Sequence, residues 1–366
     1  MLPYHELQIA YAAVACALAA AAWWLSGRFG RPQSLLVRWI VASALASAAS
    51  AGFHAVLRPF GPNTSSLFIA VALVFYAAGF WLPGIVLAVA LRRKATAVAV
   101  LATIPPLVGL YTMLVEPNRL QFRDETVPIA AWAASTPPLL VAHLSDLQTV
   151  GPCAREERAL EEVARRKPDL IVVTGDYVAG PYFDTRPAEA DAHAFLARLC
   201  RIAPTIVVAG HSENEETRLR VFEGLDLLYL EDAAKTFDFG DGRKLRAIGL
   251  DPFKPDLRLP REHRPAGEVQ LVVTHTPDVT TQLAGTGIDL HVAGHTHGGQ
   301  IVVPFFGAPL TLTRLPRKYA RGLFWMDDHW LDVCAGLGME GNHAPRIRLF
   351  CPPEISFLRL TGRTRG

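Results

Sequence analysis

The 366-residue sequence is poor in charge, and the deficit is concentrated in its first third. Only 19% of the residues are charged, against about a quarter in average soluble proteins. Residues 1–117 contain seven of the 36 basic residues and two of the 34 acidic residues. The remainder of the chain therefore holds 29 basic and 32 acidic residues. The formal charge of +2 therefore comes from the N-terminal third. The slightly acidic remainder has no basic patch or stripe, so no nucleic-acid partner is expected.

Cysteine is also scarce, and the sequence contains no internal repeat or low-complexity segment. The five cysteines lack the paired spacing of a zinc ribbon or a disulfide framework, and their pairing stays open. A hydrophobic fraction of 51% excludes an intrinsically disordered chain, because so much apolar surface drives burial.

Long runs without Asp, Glu, Lys or Arg fill the N-terminal third. A membrane-spanning helix needs about 20 apolar residues, and each run is long enough for one. Buried core helices of a soluble domain are the alternative, but four such runs in succession favour the membrane. We therefore predict a four-span transmembrane domain over residues 1–116. The four runs are residues 7–27, 39–57, 59–91 and 95–115.

Basic residues in the short loops between these runs predict the orientation. Loops 28–38 and 92–94 carry three basic residues each, and loop 58–66 carries one. Since cytoplasmic loops are enriched in Lys and Arg, the first and third loops should face the cytoplasm. We expect a multi-pass protein of the inner or plasma membrane, with the lipid bilayer as a partner and the C-terminal domain extracytoplasmic.

An α/β pattern follows the membrane domain. Residues 117–138, with mixed charge and prolines, are interpreted as a linker, and residues 139–366 as one α/β domain, because buried strands alternate with helical patterns. The predicted helices cover residues 154–167 and 188–201. The predicted strands cover residues 139–144, 170–174, 205–209, 245–249, 269–274 and 290–293, with two more near 330–334 and 356–360.

Side chains that can bind metal follow nearly every predicted strand. Open α/β sheets bind ligands at the carboxyl ends of their strands, so these side chains should meet at one edge. The segments are Ser145-Asp146-Leu147-Gln148, Gly175-Asp176, Gly210-His211-Ser212-Glu213, His275 and Gly294-His295-Thr296-His297-Gly298-Gly299-Gln300.

In this order and spacing, the motifs resemble those of the calcineurin-like metallophosphoesterases over about residues 138–360. The specific element is the Gly-His-Thr-His-Gly-Gly-Gln of residues 294–300. The resemblance implies an α/β metallophosphoesterase sandwich with two divalent metal ions, of Mn, Fe, Zn or Mg. It assigns the first metal to Asp146, Gln148, Asp176 and His297, and the second to Asp176 as the bridge, His211, His275 and His295.

This mixture of ligands suits phosphoryl chemistry. Carboxylates neutralise two adjacent dications and imidazoles supply directional nitrogen ligands, while two such metals clamp a phosphoryl group and activate water at neutral pH. Asp176, His211 and His295 are therefore the expected catalytic residues.

Two motifs depart from the family pattern. Gln148 stands where the family has a histidine, and a neutral amide favours harder ions such as Mn²⁺ or Mg²⁺. His211 and Ser212 stand where Asn and the proton-donating His are usual, and serine is a poor general acid at neutral pH. We expect Ser212 and Glu213 to bind substrate, with His343 as an outside candidate for the missing acid.

The expected function is that of a membrane-bound, metal-dependent phosphohydrolase of phosphodiesterase or pyrophosphatase type. Its substrate would be a phosphoester or phosphoanhydride in a phosphorylated lipid or an envelope metabolite. The alternative is a non-catalytic metal or ligand sensor that signals through its transmembrane helices. A basic cluster after the last motif could hold an anionic head group or simply be a solvated face; its members are Arg314, Arg317, Lys318 and Arg321.

Overall fold

The structure is a computed structural model that describes residues 108, 111–179, 186–340 and 346–362. His343 lies outside these residues. So do the predicted spans, except for the end of the last run, where Tyr111–Val115 form a π-helical turn. Within the described ranges, no helix has both the length and the apolar content to cross a membrane. The four-span domain therefore stays a prediction.

From Glu116 onward the described residues, apart from Arg346, belong to one compact unit of strands and helices. The strands are β1 (Gln121–Ile129), β2 (Leu139–Leu144), β3 (Leu170–Val173), β4 (Thr205–Val207), β5 (Leu228–Tyr229), β6 (Ala233–Asp238), β7 (Lys244–Gly249), β8 (Glu268–Val273), β9 (Leu290–Ala293), β10 (Gly322–Met326), β11 (His329–Val333) and β12 (Glu354–Gly362). The α-helices are α1 (Ala154–Arg166), α2 (Arg186–Cys200), α3 (Glu215–Phe222) and α4 (Thr280–Leu283).

The strands form two six-stranded mixed sheets. The first has the order β1-β12-β2-β3-β4-β5, and the second β10-β11-β9-β8-β7-β6. In the first sheet β2 to β5 run parallel, and β12 is antiparallel to β2. In the second sheet β7, β8, β9 and β11 run parallel, and the two edge strands are antiparallel to their neighbours.

The two sheets pack face to face, which confirms the predicted α/β sandwich. One continuous apolar cluster contains Val141 and Val172 from the first sheet together with Leu271 and Val292 from the second. Burial of such branched side chains is the main force that joins the layers. Helices α1 and α2 cover the outer face of the first sheet through a second apolar cluster.

Helix α1 shows how local sequence sets an element. Glu156 and Glu157 lie in its first turn and Arg165 and Arg166 in its last, which complements the helix dipole. Lys167 ends the helix in the left-handed conformation, with φ of 50°. The predicted helix over 154–167 therefore matches this element to within one residue.

The linker interpretation of residues 117–138 differs from the structure. Residues 121–129 form β1, the edge strand of the first sheet, paired in parallel with the C-terminal strand β12. Val127 and Ile129 of this strand are buried, and its charged first half is partly exposed. The mixed charge that indicated a linker thus belongs to an edge strand, in which Arg123 pairs with the buried carboxylates of Asp332 and Glu354.

Candidate metal centre

The expected ligands gather at one edge of the sandwich, because the parallel strands of both sheets end there. Each ligand lies two to four residues beyond the last residue of its strand. Asp146 and Gln148 follow β2, Asp176 follows β3 and His211 follows β4 in the first sheet; His275 follows β8, and His295 and His297 follow β9 in the second. The motifs are far apart in the sequence, but they meet at this edge because each one follows the carboxyl end of a strand.

Two groups of side chains in the described structure have the geometry to hold a metal ion. His211, His275 and His295 form one group, and Asp146, Asp176 and His297 form the other. In each group the ligand atoms lie within 4.8 Å of one another. The first of these groups corresponds to the set expected for the second metal, without the bridging Asp176. The other corresponds to the set expected for the first metal, without Gln148.

Asp176 stands between the two groups. Its Oδ1 lies 3.4 Å from Nε2 of His275, while its Oδ2 accepts a hydrogen bond from Nε2 of Gln148 at 3.0 Å. The backbone N–H groups of His211 and Ser212 also donate to Oδ1, over 2.6 and 2.9 Å. Asp176 thus belongs to the first group and also lies next to His275 of the second, which is the position that a bridging ligand needs.

Hydrogen bonds to backbone carbonyls set the tautomers of two histidines. Nδ1 of His275 lies 2.7 Å from the carbonyl oxygen of Thr174, and Nε2 of His295 lies 3.0 Å from that of Leu312. A carbonyl only accepts, so each of these nitrogens carries the proton. The opposite nitrogens, Nε2 of His275 and Nδ1 of His295, lie 3.2 Å apart and present lone pairs. Such second contacts orient metal-binding imidazoles in proteins.

A buried imidazole in the first group fits a metal ligand. His297 is 1% exposed, and neither of its ring nitrogens has a hydrogen-bond partner among the described residues. Its Nε2 lies 3.5 Å from Oδ1 of Asp146. A buried polar nitrogen without a partner is costly, and a divalent cation would satisfy it. The residues therefore fit two divalent metals.

Burial controls the protonation of these ligands. It lowers the pKa of His275 to about 4, and with nearby Arg348 it holds the pKa of His297 well below the usual range. Burial and the charge of Asp176 raise the pKa of Asp146. Burial opposes ionisation of Asp176, but its contacts with His275 and the donated N–H groups lower its pKa overall. His275 and His297 are thus neutral near pH 7, as metal binding requires.

The site is held in an unusual backbone conformation. Most of the candidate ligands have a positive φ, a region that costs energy for residues other than glycine. Gly175, with φ of 90°, meets the neighbouring loop so closely that a Cβ there would lie 2.7 Å from Cα of Gly210. The ligands with positive φ are Asp146 (48°), Gln148 (36°), Asp176 (56°), His295 (68°) and His297 (49°).

Gln148 lies at the expected place but turns its amide nitrogen toward the site. Besides Asp176, this nitrogen lies 3.4 Å from a carboxylate oxygen of Glu340. An N–H group donates and cannot ligate a cation. In this orientation Gln148 supports Asp176 rather than binding metal itself, and Glu340 is a further acidic group beside the first site that the motifs did not indicate.

Glu213 takes a different position from the substrate-binding one expected. It is 6% exposed, and its carboxylate accepts hydrogen bonds from the backbone N–H of Gly210 at 2.9 Å and of Tyr177 at 3.3 Å. The hydroxyl of Ser212 donates to it at 2.9 Å. Burial raises the pKa of Glu213 to about 7, with the charge of Asp176 as the next cause. Glu213 therefore ties two ligand loops together, and it holds the Ser212 hydroxyl.

Arg348 is a site residue that the motifs missed. Its guanidinium is fully buried and donates to carbonyl oxygens of the loop carrying His297 and of residues 335–338. It therefore fixes the backbone beneath the first metal group. No local motif marked this role, because one of the carbonyls that Arg348 contacts belongs to His297, far away in the sequence.

Known proteins with similar sequences are metallophosphoesterases, which supports the assignment of this site as a metal centre. Residues 139–299 match the family model of calcineurin-like phosphoesterases. The chain is 26% identical to the metallophosphoesterase YkuE of Bacillus subtilis (strain 168) over 226 residues, 60% of this chain and 76% of YkuE. It is also 26% identical to the phosphodiesterase YaeI of Escherichia coli (strain K12) over 240 residues, 63% and 86% of the two chains.

Among solved structures, the NAD nucleotidase NadN of Haemophilus influenzae is similar with a TM-score of 0.39 and 14% identity, over 55% of this chain and 51% of that one. All six residues of the two ligand groups lie within the segment that matches the family model. Residues 139–299 are thus similar to the calcineurin-like phosphoesterases, and the chain is a binuclear-metal phosphohydrolase that uses two divalent metal ions.

Proposed function

We propose that the chain is a membrane-bound phosphoesterase that hydrolyses a phosphoester or phosphoanhydride bond of a lipid-linked or envelope metabolite. The observation that carries the hydrolytic part is the pair of ligand groups at one sandwich edge, with Asp176 facing both. The metals, when bound, neutralise phosphate charge and activate water. The similarity to YaeI, a phosphodiesterase, favours a diester-type substrate.

The side chains near the site limit the leaving group. The position next to His211 holds Ser212, whose hydroxyl is a weak acid and already donates to Glu213. Expelling an alkoxide without a proton donor is slow. A phosphate leaving group needs less help, since its second pKa is about 6. We therefore favour a phosphoanhydride, or a diester with an acidic leaving group.

The membrane-bound part rests on the uncharged runs of residues 1–116. An anchor of four spans would confine the metal centre near the bilayer surface, where phosphorylated lipids are concentrated. The loop charges favour an extracytoplasmic domain. Fusion of alkaline phosphatase to the C-terminus should then give an active reporter in bacterial cells. An inactive fusion, together with an active cytoplasmic reporter at the same position, would reverse this orientation.

Turnover tests the hydrolytic part. The purified full chain, loaded with Mn²⁺, should hydrolyse an aryl phosphodiester or a pyrophosphate, and Asp176→Asn should reduce turnover by at least about 100-fold because it weakens both metal sites. His263→Ala, at an exposed position away from the site, is the matched control. Absence of turnover with any divalent metal and any of these substrates would contradict the proposal and favour the sensor.

A further inference from the structure

A solvent-exposed apolar loop borders the metal centre. Residues 301–313, here called the apolar loop, contain no charged side chain. Phe305 is fully exposed, Leu310 is 67% exposed and Phe306 is 55% exposed. Val303 and Leu312 are also among the exposed large hydrophobics. Single exposed apolar residues are ordinary, but a cluster of this kind marks an interaction surface.

The tip of the apolar loop is built to project an aromatic ring. Val303 and Gly307 exchange two backbone hydrogen bonds of 2.9 Å, which closes a tight turn. Phe305 lies at the apex with φ of 67°, a strained conformation for a residue with a large side chain. Since the ring is exposed, packing within the domain does not offset this cost. A partner outside the domain would.

The base of the apolar loop is joined to the site itself. The carbonyl oxygen of Leu312 accepts the hydrogen bond from Nε2 of His295. Gly299, directly after the histidine motif, contacts the loop so closely that a Cβ there would collide with Ala308. Beside the second metal group, the exposed ring of Phe253 packs on His211, with centroids 4.6 Å apart. Whatever covers the loop therefore lies beside the metal centre.

Charge identifies the kind of partner. Residues 298–326 contain no Asp or Glu but hold the basic cluster of Arg314, Arg317, Lys318 and Arg321. Arg317 lies over the ring of Phe306, 4.1 Å from its centroid, so a cation and an exposed aromatic ring share one surface. Arg321 instead pairs with Glu354 at 2.6 Å. Exposed aromatics beside basic residues match a bilayer with anionic head groups.

We infer that the apolar loop inserts into the interfacial region of an anionic lipid bilayer, with Arg317 and Lys318 at the level of the phosphates. Amphipathic elements of this composition settle about 5–10 Å into the boundary between head groups and acyl chains. The contact between Leu312 and His295 then holds the second metal group at the membrane surface. This inference rests in part on the proposed membrane-bound function, and it names the surface through which the domain meets the lipid.

A fluorescence experiment tests the inference without any turnover. Full-length Phe305→Trp is reconstituted in nanodiscs that contain phosphatidylglycerol, with and without bromine on the acyl chains. The introduced indole should lose most of its emission to the bromine, after subtraction of the wild-type signal. Leu219→Trp, at a position on α3 that is 65% exposed, is the matched control and should keep its emission.

Charge is tested in the same system. Phe305→Trp combined with Arg317→Gln and Lys318→Gln should lose less emission, and replacement of phosphatidylglycerol by phosphatidylcholine should have the same effect. Equal emission of the indole at position 305 with brominated and ordinary lipid would overturn the inference. Quenching of the same indole by aqueous iodide gives a second test. If its protection from iodide increases with protein concentration but not with lipid, a second copy of the chain covers the loop, and the inference is overturned.

A kinetic comparison separates this inference from the proposed function. Phe305→Ser with Phe306→Ser should raise the KM for a phosphodiester embedded in vesicles by about tenfold, which corresponds to about 1.4 kcal/mol, and leave turnover of a soluble aryl phosphodiester unchanged. An unchanged KM for the embedded substrate would contradict the docking role. If neither substrate is turned over by the wild-type chain, the proposed function fails while the fluorescence result still decides the surface.

Discussion

The amide nitrogen of Gln148 donates a hydrogen bond to Oδ2 of Asp176 over 3.0 Å. Asp176 groups with Asp146 and His297, while its Oδ1 lies 3.4 Å from Nε2 of His275 in the second group. The two sites are therefore unequal. The second has three imidazoles besides Asp176, whereas the first has His297, Asp146 and a shared carboxylate that a neutral amide already contacts.

Substitution of Gln148 should strengthen the weaker site. Gln148→His replaces a donor at this position with an imidazole that can ligate, so the first metal should dissociate more slowly and Zn²⁺ should be favoured over Mn²⁺. Metal content after dialysis, measured by mass spectrometry, checks this. Gln148→Asn, which keeps the amide, should show no gain. Equal metal content in Gln148→His and the wild type would show that the orientation of this side chain does not limit the first site.

Loss of His211 should affect the second site selectively. Because Nδ1 of His211 lies 3.4 Å from Nδ1 of His295, the variant His211→Ala should lose one metal per chain and nearly all turnover. Even changes outside the ligand set cost about 10–100-fold in metal affinity. His263→Ala should retain both metals. Two metals per chain in dialysed His211→Ala would remove His211 from the ligand set.

Arg348 should be needed for both stability and the first metal. Arg348→Lys replaces a planar group with several donors by a single ammonium, and some of the buried carbonyls would lose their donor. Each such loss costs about 1–3 kcal/mol. We expect a clearly lower free energy of unfolding and weaker binding of the first metal. Arg359→Lys, at an exposed position of β12, is the control, and similar losses in both variants would contradict the assignment.

His291 should make the fold sensitive to acid. Burial lowers the pKa of His291 from 6.5 to about 3, and its Nδ1 has no partner among the described residues. The neutral form is thus the folded one. Its contribution is complete above pH 6.5 and is lost as the pH falls from 6.5 to about 3, at up to about 1.4 kcal/mol per pH unit.

His291→Gln cannot take up this proton, so its free energy of unfolding should depend less on pH in that window. Chemical unfolding of the wild type and of the variant at several pH values between 3 and 7 measures the difference. His263→Gln, an exposed histidine, should follow the wild type. Parallel pH profiles for His291→Gln and the wild type would show that another group is responsible.

Much of the domain could be predicted because its signals are local. Buried strands are continuous apolar runs, and the predicted bounds of 139–144 and 290–293 coincide with β2 and β9. Strand β1 escaped prediction, because its partner lies more than 200 residues away, with Gln121 opposite Glu354. The first half of β1 is rich in charged residues, so this edge strand contains no apolar run from which it could be predicted.

The order of the ligands and the strands that carry them can be predicted from the sequence alone, since each motif follows its strand within a few residues. Tertiary contacts are needed to place Asp176 between the two groups, to direct the N–H of Gln148 toward Asp176, to bury Glu213 and to bring Arg348 beneath the site. These features depend on contacts between loops far apart in the chain. Their geometry follows from how the two sheets pack, which local sequence does not encode.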